Sequence, residues 1–161
     1  MNIHLSRNHD KDSPASHRLR RGRFSEPGRL YLLTSVTRNR SPFFADFHAA
    51  RAICAQFRQA QQEGAARTLA WVVMPDHVHW LIELRQATLS RLMCRFKSRS
   101  RCALYKAGML QGKLWQPGYH DHALRREENA CAVARYVVAN PLRAGLVKKL
   151  GDYPHWDAVW L

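Results

Sequence analysis

The chain has 161 residues, a length typical of one globular domain. Hydrophobic residues make up 46% of it, which excludes an intrinsically disordered protein. Lysine and arginine number 26 against 12 acidic residues, so the net charge is +14. A small protein with this charge attracts polyanions; nucleic acid is the expected partner, and an anionic membrane surface is the alternative.

The apolar segments argue against a membrane protein. The longest of them, Leu69–Met74 and Val78–Ile82, are far shorter than the ~20 residues that span a bilayer. The amino terminus is polar and has no apolar core of a secretory signal. We therefore expect no membrane association and a cytoplasmic location.

The cysteines indicate neither a zinc site nor a disulfide framework, because they are scattered and form no Cys-x-x-Cys pair. All four fall within predicted helices. We interpret all four as reduced packing residues: Cys54, Cys94, Cys102 and Cys131.

Residues 1–22 predict a flexible basic arm, followed by a single domain over residues 23–161. The arm is rich in arginine, histidine, serine and asparagine and has no apolar periodicity. It is either a disordered tail or a segment that grips nucleic acid. The arginine cluster leaves both interpretations open, and its candidate DNA-binding residues are Arg20, Arg21 and Arg23.

The predicted elements alternate between strands and helices. An alternation of side chains with a period of two residues predicts the strands, and an apolar stripe that follows an N-cap residue predicts the helices. In chain order these are a strand over 29–38, a helix from its cap Asp46 to about Glu63, strands Thr68–Met74 and His77–Leu84, a helix from its cap Thr88 to about Lys106, a short strand within 114–124, and a helix Glu127–Ala139 closed by Pro141.

This order predicts an α+β domain of the ferredoxin-like, split βαβ type. Four strands would form an antiparallel sheet with helices on one face, and the last helix would be an addition at the carboxyl-terminal end. Fold alone does not define function, so the functional interpretation depends on individual side chains.

Two histidines on one strand are candidate metal ligands. Successive strand residues point to opposite faces, so His77 and His79 share a face. Two neighbouring imidazoles suit a divalent metal once a third ligand joins them. An isolated His-x-His is more often a pair of ordinary polar residues. His120 and His122 have the same spacing in a looser context, and period two alone does not choose between the pairs.

A tyrosine near the end of the last helix is a candidate nucleophile. Tyr136 and Asn140 are four residues apart and share a helix face, with Pro141 placing Asn140 in the last turn or just past it. A helical tyrosine is most often half-buried core. Combined with the histidines, however, it supports a coherent chemistry. A phenol with a pKa of ~10 is a weak nucleophile at neutral pH. A metal on a scissile phosphate withdraws charge and orients the attack.

Such an attack would form a phosphotyrosine and preserve the phosphodiester energy for rejoining. The imidazoles of His77 and His79 and the amide oxygen of Asn140 would form a three-ligand site. Open coordination positions would remain for phosphate oxygens.

Basic side chains outside the arm are candidate phosphate contacts. A basic helix is usually just a solvated face, but here it adds to arginines elsewhere. The candidate DNA-binding residues are Arg38, Arg40, Lys97, Arg99, Arg101, Arg125 and Arg143. Three aromatic residues are candidates for base stacking or for the core: Trp115, Tyr119 and Trp156.

Six segments taken together resemble one family. They are Arg20–Arg23, Pro27–Thr37, Val73–Leu81, Phe96–Lys97, Leu114–Arg125 and Tyr136–Val147. The family is that of the REP-associated tyrosine transposases, bacterial relatives of the single-tyrosine HUH transposases. The resemblance covers about residues 20–150, and its specificity comes from the combination rather than from any single segment.

The resemblance implies a ferredoxin-like fold and Mg²⁺- or Mn²⁺-dependent cleavage and rejoining of single-stranded DNA. The substrates would be palindromic REP elements that fold into hairpins. Position by position, it assigns metal binding to His77 and His79, the nucleophile that forms a 5′-phosphotyrosine to Tyr136, and the third ligand to Asn140. His120 and His122 then belong to a separate segment without an assigned role.

The resemblance also implies a bacterial, nucleoid-associated protein that acts as a monomer, although dimers occur among the insertion-sequence relatives. The given sequence ends soon after Trp156, which implies a short carboxyl-terminal contribution to hairpin binding. The alternative hypothesis is a nonenzymatic binder of structured single-stranded nucleic acid. A general RNA-binding module is a third and weaker hypothesis.

Overall fold

The structure is a computed structural model that describes residues 25–161. The predicted basic arm, including Arg20, Arg21 and Arg23, lies outside the described residues. The elements in chain order are β1 (Leu30–Val36), α1 (Phe47–Gln62), β2 (Ala66–Val73), β3 (His77–Leu84), α2 (Leu89–Lys106), β4 (His120–Ala123), α3 (Ala130–Val138), α4 (Asn140–Arg143) and β5 (Trp156–Ala158).

The strands form one antiparallel sheet in the order β4-β1-β3-β2-β5. Its first four strands have the ferredoxin-like arrangement, which confirms the predicted fold class. The predicted strand number was wrong, because β5 adds a fifth strand at the edge beyond β2. Three residues are too few to show a period of two. This strand is defined by its pairing with Ala70–Val72.

Two helices cover one face of the sheet, as predicted. Phe57 from α1 and Phe96 from α2 stack with ring centroids 5.1 Å apart, and Trp80 from β3 packs against both rings. Val78 and Ile82 belong to the same apolar core, as the alternation along β3 predicts. The residues that alternate with these, among them His77 and His79, therefore face the opposite side of the sheet.

The added helix α3 covers the opposite face, which the prediction had not specified. Ala134 and Val138 pack there against Leu81 and Ala70, and a second cluster joins Val137 to Val72. The sheet is thus buried on both sides. The face under α3 is the one that carries His77 and His79.

Both ends of α3 differ from the predicted helix Glu127–Ala139. The helix begins at Ala130, after Asn129, whose side chain accepts from the backbone of Cys131 and Ala132. Pro141 does not end the helical path, because it lies in the first turn of α4. Backbone N–H groups of a first turn have no partner within the helix, so the missing N–H of proline costs no hydrogen bond there. The helical path therefore continues to Arg143.

The cysteines only partly match their interpretation. All four are free thiols. Cys54 is buried, and this burial raises its pKa to about 11. Cys94 and Cys102 are exposed, so the packing interpretation was wrong for these two. They lie on the solvent side of α2, which its amphipathic pattern leaves uncovered. Among the described residues, no helix combines the length and apolar character needed to cross a bilayer.

The predicted N-cap of α1 provides a test of local stability. The Asp46 carboxylate accepts from the backbone N–H of Ala49 at 2.9 Å. We expect Asp46→Ala to lower the free energy of unfolding by about 1 kcal/mol, measured in urea, because this N–H loses its partner. Asp46→Asn, which caps equally well, should keep most of that stability. Equal losses in both variants would contradict the capping role.

Candidate active site

The two histidines of β3 lie side by side, as predicted. Thr34 pairs with His79 and Val36 pairs with His77 across β1. The imidazole centroids are 4.9 Å apart, with the rings nearly perpendicular. Both rings lie on the face opposite Trp80. The structure therefore brings together the pair that the alternation of β3 indicated.

Each imidazole has one nitrogen engaged by a neighbouring oxygen. Asp76 Oδ1 lies 2.6 Å from Nδ1 of His77, and Thr34 Oγ1 lies 2.8 Å from Nδ1 of His79. Burial alone would raise the pKa of Asp76, but hydrogen bonds and charges from His77 and Arg40 lower it below its usual value. The carboxylate is therefore ionised at neutral pH. Both Nε2 atoms remain as the positions at which a metal can be bound.

His79 is neutral at physiological pH. Burial, and then the electrostatic influence of His77 and Arg143, lower its pKa from 6.5 to about 4. A neutral imidazole is the form that binds a metal. The influence of Arg143 also shows that the end of the last helix lies within electrostatic range of this ring.

The lowered pKa of His79 makes the stability of the metal-free protein depend on pH. The unfolded chain, with an ordinary histidine pKa, binds more protons than the folded chain between pH 6.5 and about 4. The free energy of unfolding should therefore fall as the pH decreases through this window and level off below it. Urea unfolding with a chelator present measures this slope.

Replacement of the ring isolates its contribution. His79→Gln should flatten the slope, whereas His48→Gln, at an exposed position on α1, should leave it unchanged. An unaltered slope in the His79 variant would show that other groups cause the pH dependence.

The candidate nucleophile is accessible and held beside the histidine strand. The Tyr136 side chain is 61% exposed. The next residue, Val137, is buried against Val72, and Val72 pairs with His79 across β2 and β3. Packing thus anchors the helical turn of the tyrosine over the strand next to the histidines.

Arg143 contacts the tyrosine in two ways. Its guanidinium carbon lies 3.7 Å from the centroid of the Tyr136 ring, and its Nη1 donates to the Tyr136 carbonyl oxygen at 2.7 Å. The seven-residue spacing puts both side chains on one face because the chain continues helically through Pro141. A permanent cation therefore lies against the ring.

Asn140 is half-buried between α3 and α4. Its Nδ2 donates to the Val137 carbonyl oxygen at 2.8 Å, so Oδ1 remains as the acceptor of the amide. Within residues 25–161, no three His, Cys, Asp or Glu side chains are placed to hold a metal ion. The amide oxygen of Asn140 therefore stays a predicted third ligand for the histidine pair.

The second histidine pair lies on the same face of the sheet. Thr34 pairs with both His79 and His120, and directly paired residues of an antiparallel sheet point to one side. His122 Nε2 lies 3.0 Å from the Glu128 carboxylate. A depression of about 380 Å³ is lined by Leu32, His122, Glu128, Asn129, Ala132, Val133 and Tyr136. Glu128 has no sequence signal that marks it as part of this site, because its contact with His122 depends on the placement of β4.

The basic residues of α2 are engaged with the protein itself. The Lys97 ammonium donates to the carbonyl oxygens of Gln116 and Gly118. Arg99 pairs with Glu63 at 2.6 Å, and hydrogen bonding to Arg99 lowers the pKa of that carboxyl. Arg101 donates to the Gly112 carbonyl oxygen at 2.9 Å. These contacts tie α2 to neighbouring segments, and the predicted DNA contacts of the three residues remain predictions.

The other predicted basic residues lie outside α2, near the two ends of β1. Arg38 is exposed next to β1, and Arg40 pairs with Asp76 at 3.2 Å. Arg125, with Arg29 and Arg126, lines a cleft of about 570 Å³. The Arg125 cleft thus lies beside Leu30, at the end of β1 away from the pairing of Val36 with His77, whereas Arg143 contacts Tyr136.

The three aromatic candidates for base stacking differ in exposure. Trp115 is buried and donates to Ser100 Oγ at 3.0 Å, so it belongs to the core. Trp156 is half-buried and donates to the Leu150 carbonyl oxygen. Tyr119 is half-buried and packs against the main core. Base stacking is therefore excluded for Trp115 in this fold.

The sequence model of one protein family, described as IS200-like transposases, matches residues 29–140. The chain belongs to this family. The matched segment includes His77, His79 and Tyr136 and ends at Asn140. All four candidate site residues of this IS200-like protein therefore lie within the region that defines the family.

Curated relatives carry names of the same kind. The REP-associated tyrosine transposase of Escherichia coli K12 is 28% identical over 85 residues, which cover 53% of this chain and 50% of that protein. A Haemophilus influenzae protein, provisionally named a REP-associated tyrosine transposase, is 22% identical over 149 residues, or 80% of this chain and 78% of that protein. The match thus spans half the length of the first relative. The family resemblance drawn from the motifs is confirmed.

Solved structures share the fold. A REP-associated tyrosine transposase bound to a REP hairpin has a TM-score of 0.69 at 23% identity, over 83% of this chain and 79% of that chain. A Deinococcus radiodurans R1 protein, provisionally named a transposase, has a TM-score of 0.53 at 23% identity, over 67% and 87%. These likenesses establish the ferredoxin-like architecture.

Proposed function

We propose that this IS200-like protein is a metal-dependent endonuclease and strand transferase for single-stranded hairpin DNA. It would cleave and rejoin REP-type hairpins through a covalent 5′-phosphotyrosine. One observation carries the proposal: an exposed tyrosine, Tyr136, is anchored by Val137 over the strand next to a neutral His79. The names of the relatives and the hairpin bound by one structural neighbour support the substrate class.

The side chains around the histidines fit a Mg²⁺ or Mn²⁺ ion. Nδ1 of each imidazole already has a partner, so Nε2 of His77 and of His79 would bind the ion. Asn140 would supply its amide oxygen. When bound, such an ion supplies Lewis-acid polarisation of the scissile phosphate. Two imidazoles and one amide leave coordination positions for phosphate oxygens.

Tyr136 would carry the covalent step. Its phenol loses a proton, and the oxygen attacks phosphorus opposite the 3′ oxygen of the leaving strand. The new O–P bond forms, the P–O3′ bond breaks, and the released 3′ oxygen takes up a proton. Rejoining reverses these steps when a 3′ hydroxyl attacks the phosphotyrosine. Arg143 holds the ring from one side, and its charge favours both the phenolate and the phosphate.

The site would operate within a monomer. The packing of the tyrosine helix on the sheet supports this, since the nucleophile and the histidines would then come from one molecule. Exposed basic side chains around this face would contact the DNA backbone, and the net charge of +14 supports a strongly salt-dependent affinity. Arg38, Arg125 and Arg143 are exposed candidates outside α2.

A denaturing gel tests the proposal. The protein is incubated with an end-labelled single-stranded hairpin from repeats of its own genome, with Mn²⁺, with Mg²⁺ or with a chelator. We expect a covalent protein–DNA adduct on the 5′ phosphate side and a free 3′ hydroxyl product, only with metal. Tight hairpin binding without adduct or cleavage would favour the nonenzymatic binder instead.

A further inference from the structure

The turn that precedes the first histidine contains a carboxylate with two partners. Asp76 Oδ1 lies 2.6 Å from His77 Nδ1, and Asp76 Oδ2 lies 3.2 Å from Nη1 of Arg40. A carboxylate is an acceptor only, so both neighbours must donate to it when it is ionised. The three side chains therefore form a continuous chain from a loop after β1 to the imidazole.

The loop that presents Arg40 has an unusual backbone. Asn39 and Arg40 have φ values of 56° and 50°, so two consecutive residues with a Cβ occupy the left-handed region. Such residues persist only where surrounding contacts hold them. The Thr37 hydroxyl donates to the carbonyl oxygens of Ser41 and Asp76, at 2.8 and 3.0 Å, and the Thr37 N–H also donates to Asp76. These bonds fasten the loop to the turn that carries the carboxylate.

We propose that Asp76 and Arg40 are positioning residues for His77. Arg40 would then have a role other than the predicted phosphate contact. The carboxylate holds the imidazole with N–H at Nδ1 and presents Nε2 to the metal. The guanidinium holds the second carboxylate oxygen and so prevents rotation of the Asp76 side chain. The metal-binding part of this inference rests on the proposed function, whereas the effect on the imidazole does not.

His77 needs this support more than its neighbour does. It is the first residue of β3, next to a turn, whereas His79 lies within the strand and is held by Thr34 from β1. A ligand at the end of a strand has fewer packing contacts to define its rotamer. Hydrogen bonds from outside the strand must therefore orient the ring.

Imidazole NMR of the metal-free protein tests the orientation without DNA or metal. Long-range ¹H–¹⁵N correlations should show His77 of the wild type with its proton on Nδ1. Asp76→Asn should give a mixture of tautomers, since an amide can also donate to Nδ1. Arg40→Gln should shift the same signals in the same direction by a smaller amount.

Mn²⁺ affinity, measured by electron paramagnetic resonance without DNA, tests the consequence. We expect affinity about 10- to 100-fold weaker in Asp76→Asn, weaker by several-fold in Arg40→Gln, and partly restored in Arg40→Lys. The matched control is Arg67→Gln, because Arg67 pairs with Glu83 at the far end of the same hairpin. Its Mn²⁺ affinity and His77 signals should equal those of the wild type.

The outcomes separate this inference from the proposed function. Unchanged His77 tautomer and unchanged Mn²⁺ affinity in folded Asp76→Asn would overturn the positioning role. Should Asp76→Asn not fold, the same two measurements on Arg40→Gln decide. The variants could show a shifted His77 tautomer and weakened Mn²⁺ binding while the wild-type protein forms no adduct with DNA. That combination would uphold the positioning role and reject the nuclease.

Discussion

Tyr136→Phe should form no covalent adduct with hairpin DNA, and its cleavage rate should be lower by at least about 10³-fold. The substitution removes the only atom of the side chain that can attack phosphorus. The ring remains, so its contact with Arg143 and the packing of α3 should persist. Because the side chain is 61% exposed, the free energy of unfolding should change little. Hairpin affinity should remain near that of the wild type.

A matched control is available on α2. Tyr105 is also 61% exposed, but it is remote from the histidine face in the fold. Tyr105→Phe should form adduct at the wild-type rate. Full adduct formation by Tyr136→Phe would reject Tyr136 as the nucleophile, and mass spectrometry of the adduct would then identify the residue that carries the DNA.

The second large effect concerns the choice between the two histidine pairs. His79→Ala should weaken Mn²⁺ binding by more than about 100-fold, because loss of a ligand exceeds the effect of losing a residue that only orients one. Adduct formation should be lost with it, while hairpin binding remains. Titration of Mn²⁺ against each variant, followed by the gel assay, measures both effects.

His120→Ala is the discriminating comparison. His120 faces the same side of the sheet as His79 and is paired with the same threonine, Thr34. It is exposed, whereas His79 is half-buried. We expect wild-type Mn²⁺ affinity in this variant. A loss at His120 with normal binding in His79→Ala would move the metal site to β4.

Much of the site could be predicted from local geometry. Period two along β3 was enough to place His77 and His79 together. The caps Asp46 and Thr88 began their helices as predicted, because capping involves residues within three positions of each other. The element order likewise restricted the sheet to the ferredoxin-like arrangement.

Other features depended on segments far apart in the chain. The edge strand β5 exists through its pairing with β2, and Lys97 is held by carbonyl oxygens of a loop beyond α2. The ion pair between Arg40 and Asp76 joins two turns that only the sheet brings together. The periodicity of a sequence segment does not predict such contacts, because each of them depends on the position of a distant segment.

The sequence by itself determined the fold class, the shared face of His77 and His79, and the candidacy of Tyr136. Those conclusions follow from the alternation of strand side chains, the order of elements and the combined motifs. Only the tertiary structure decided that α3 lies over the histidine face, that Arg143 contacts the tyrosine, and that His79 is buried enough to stay neutral. Burial and electrostatic neighbours arise from packing between distant segments, so they become defined only when the chain is folded.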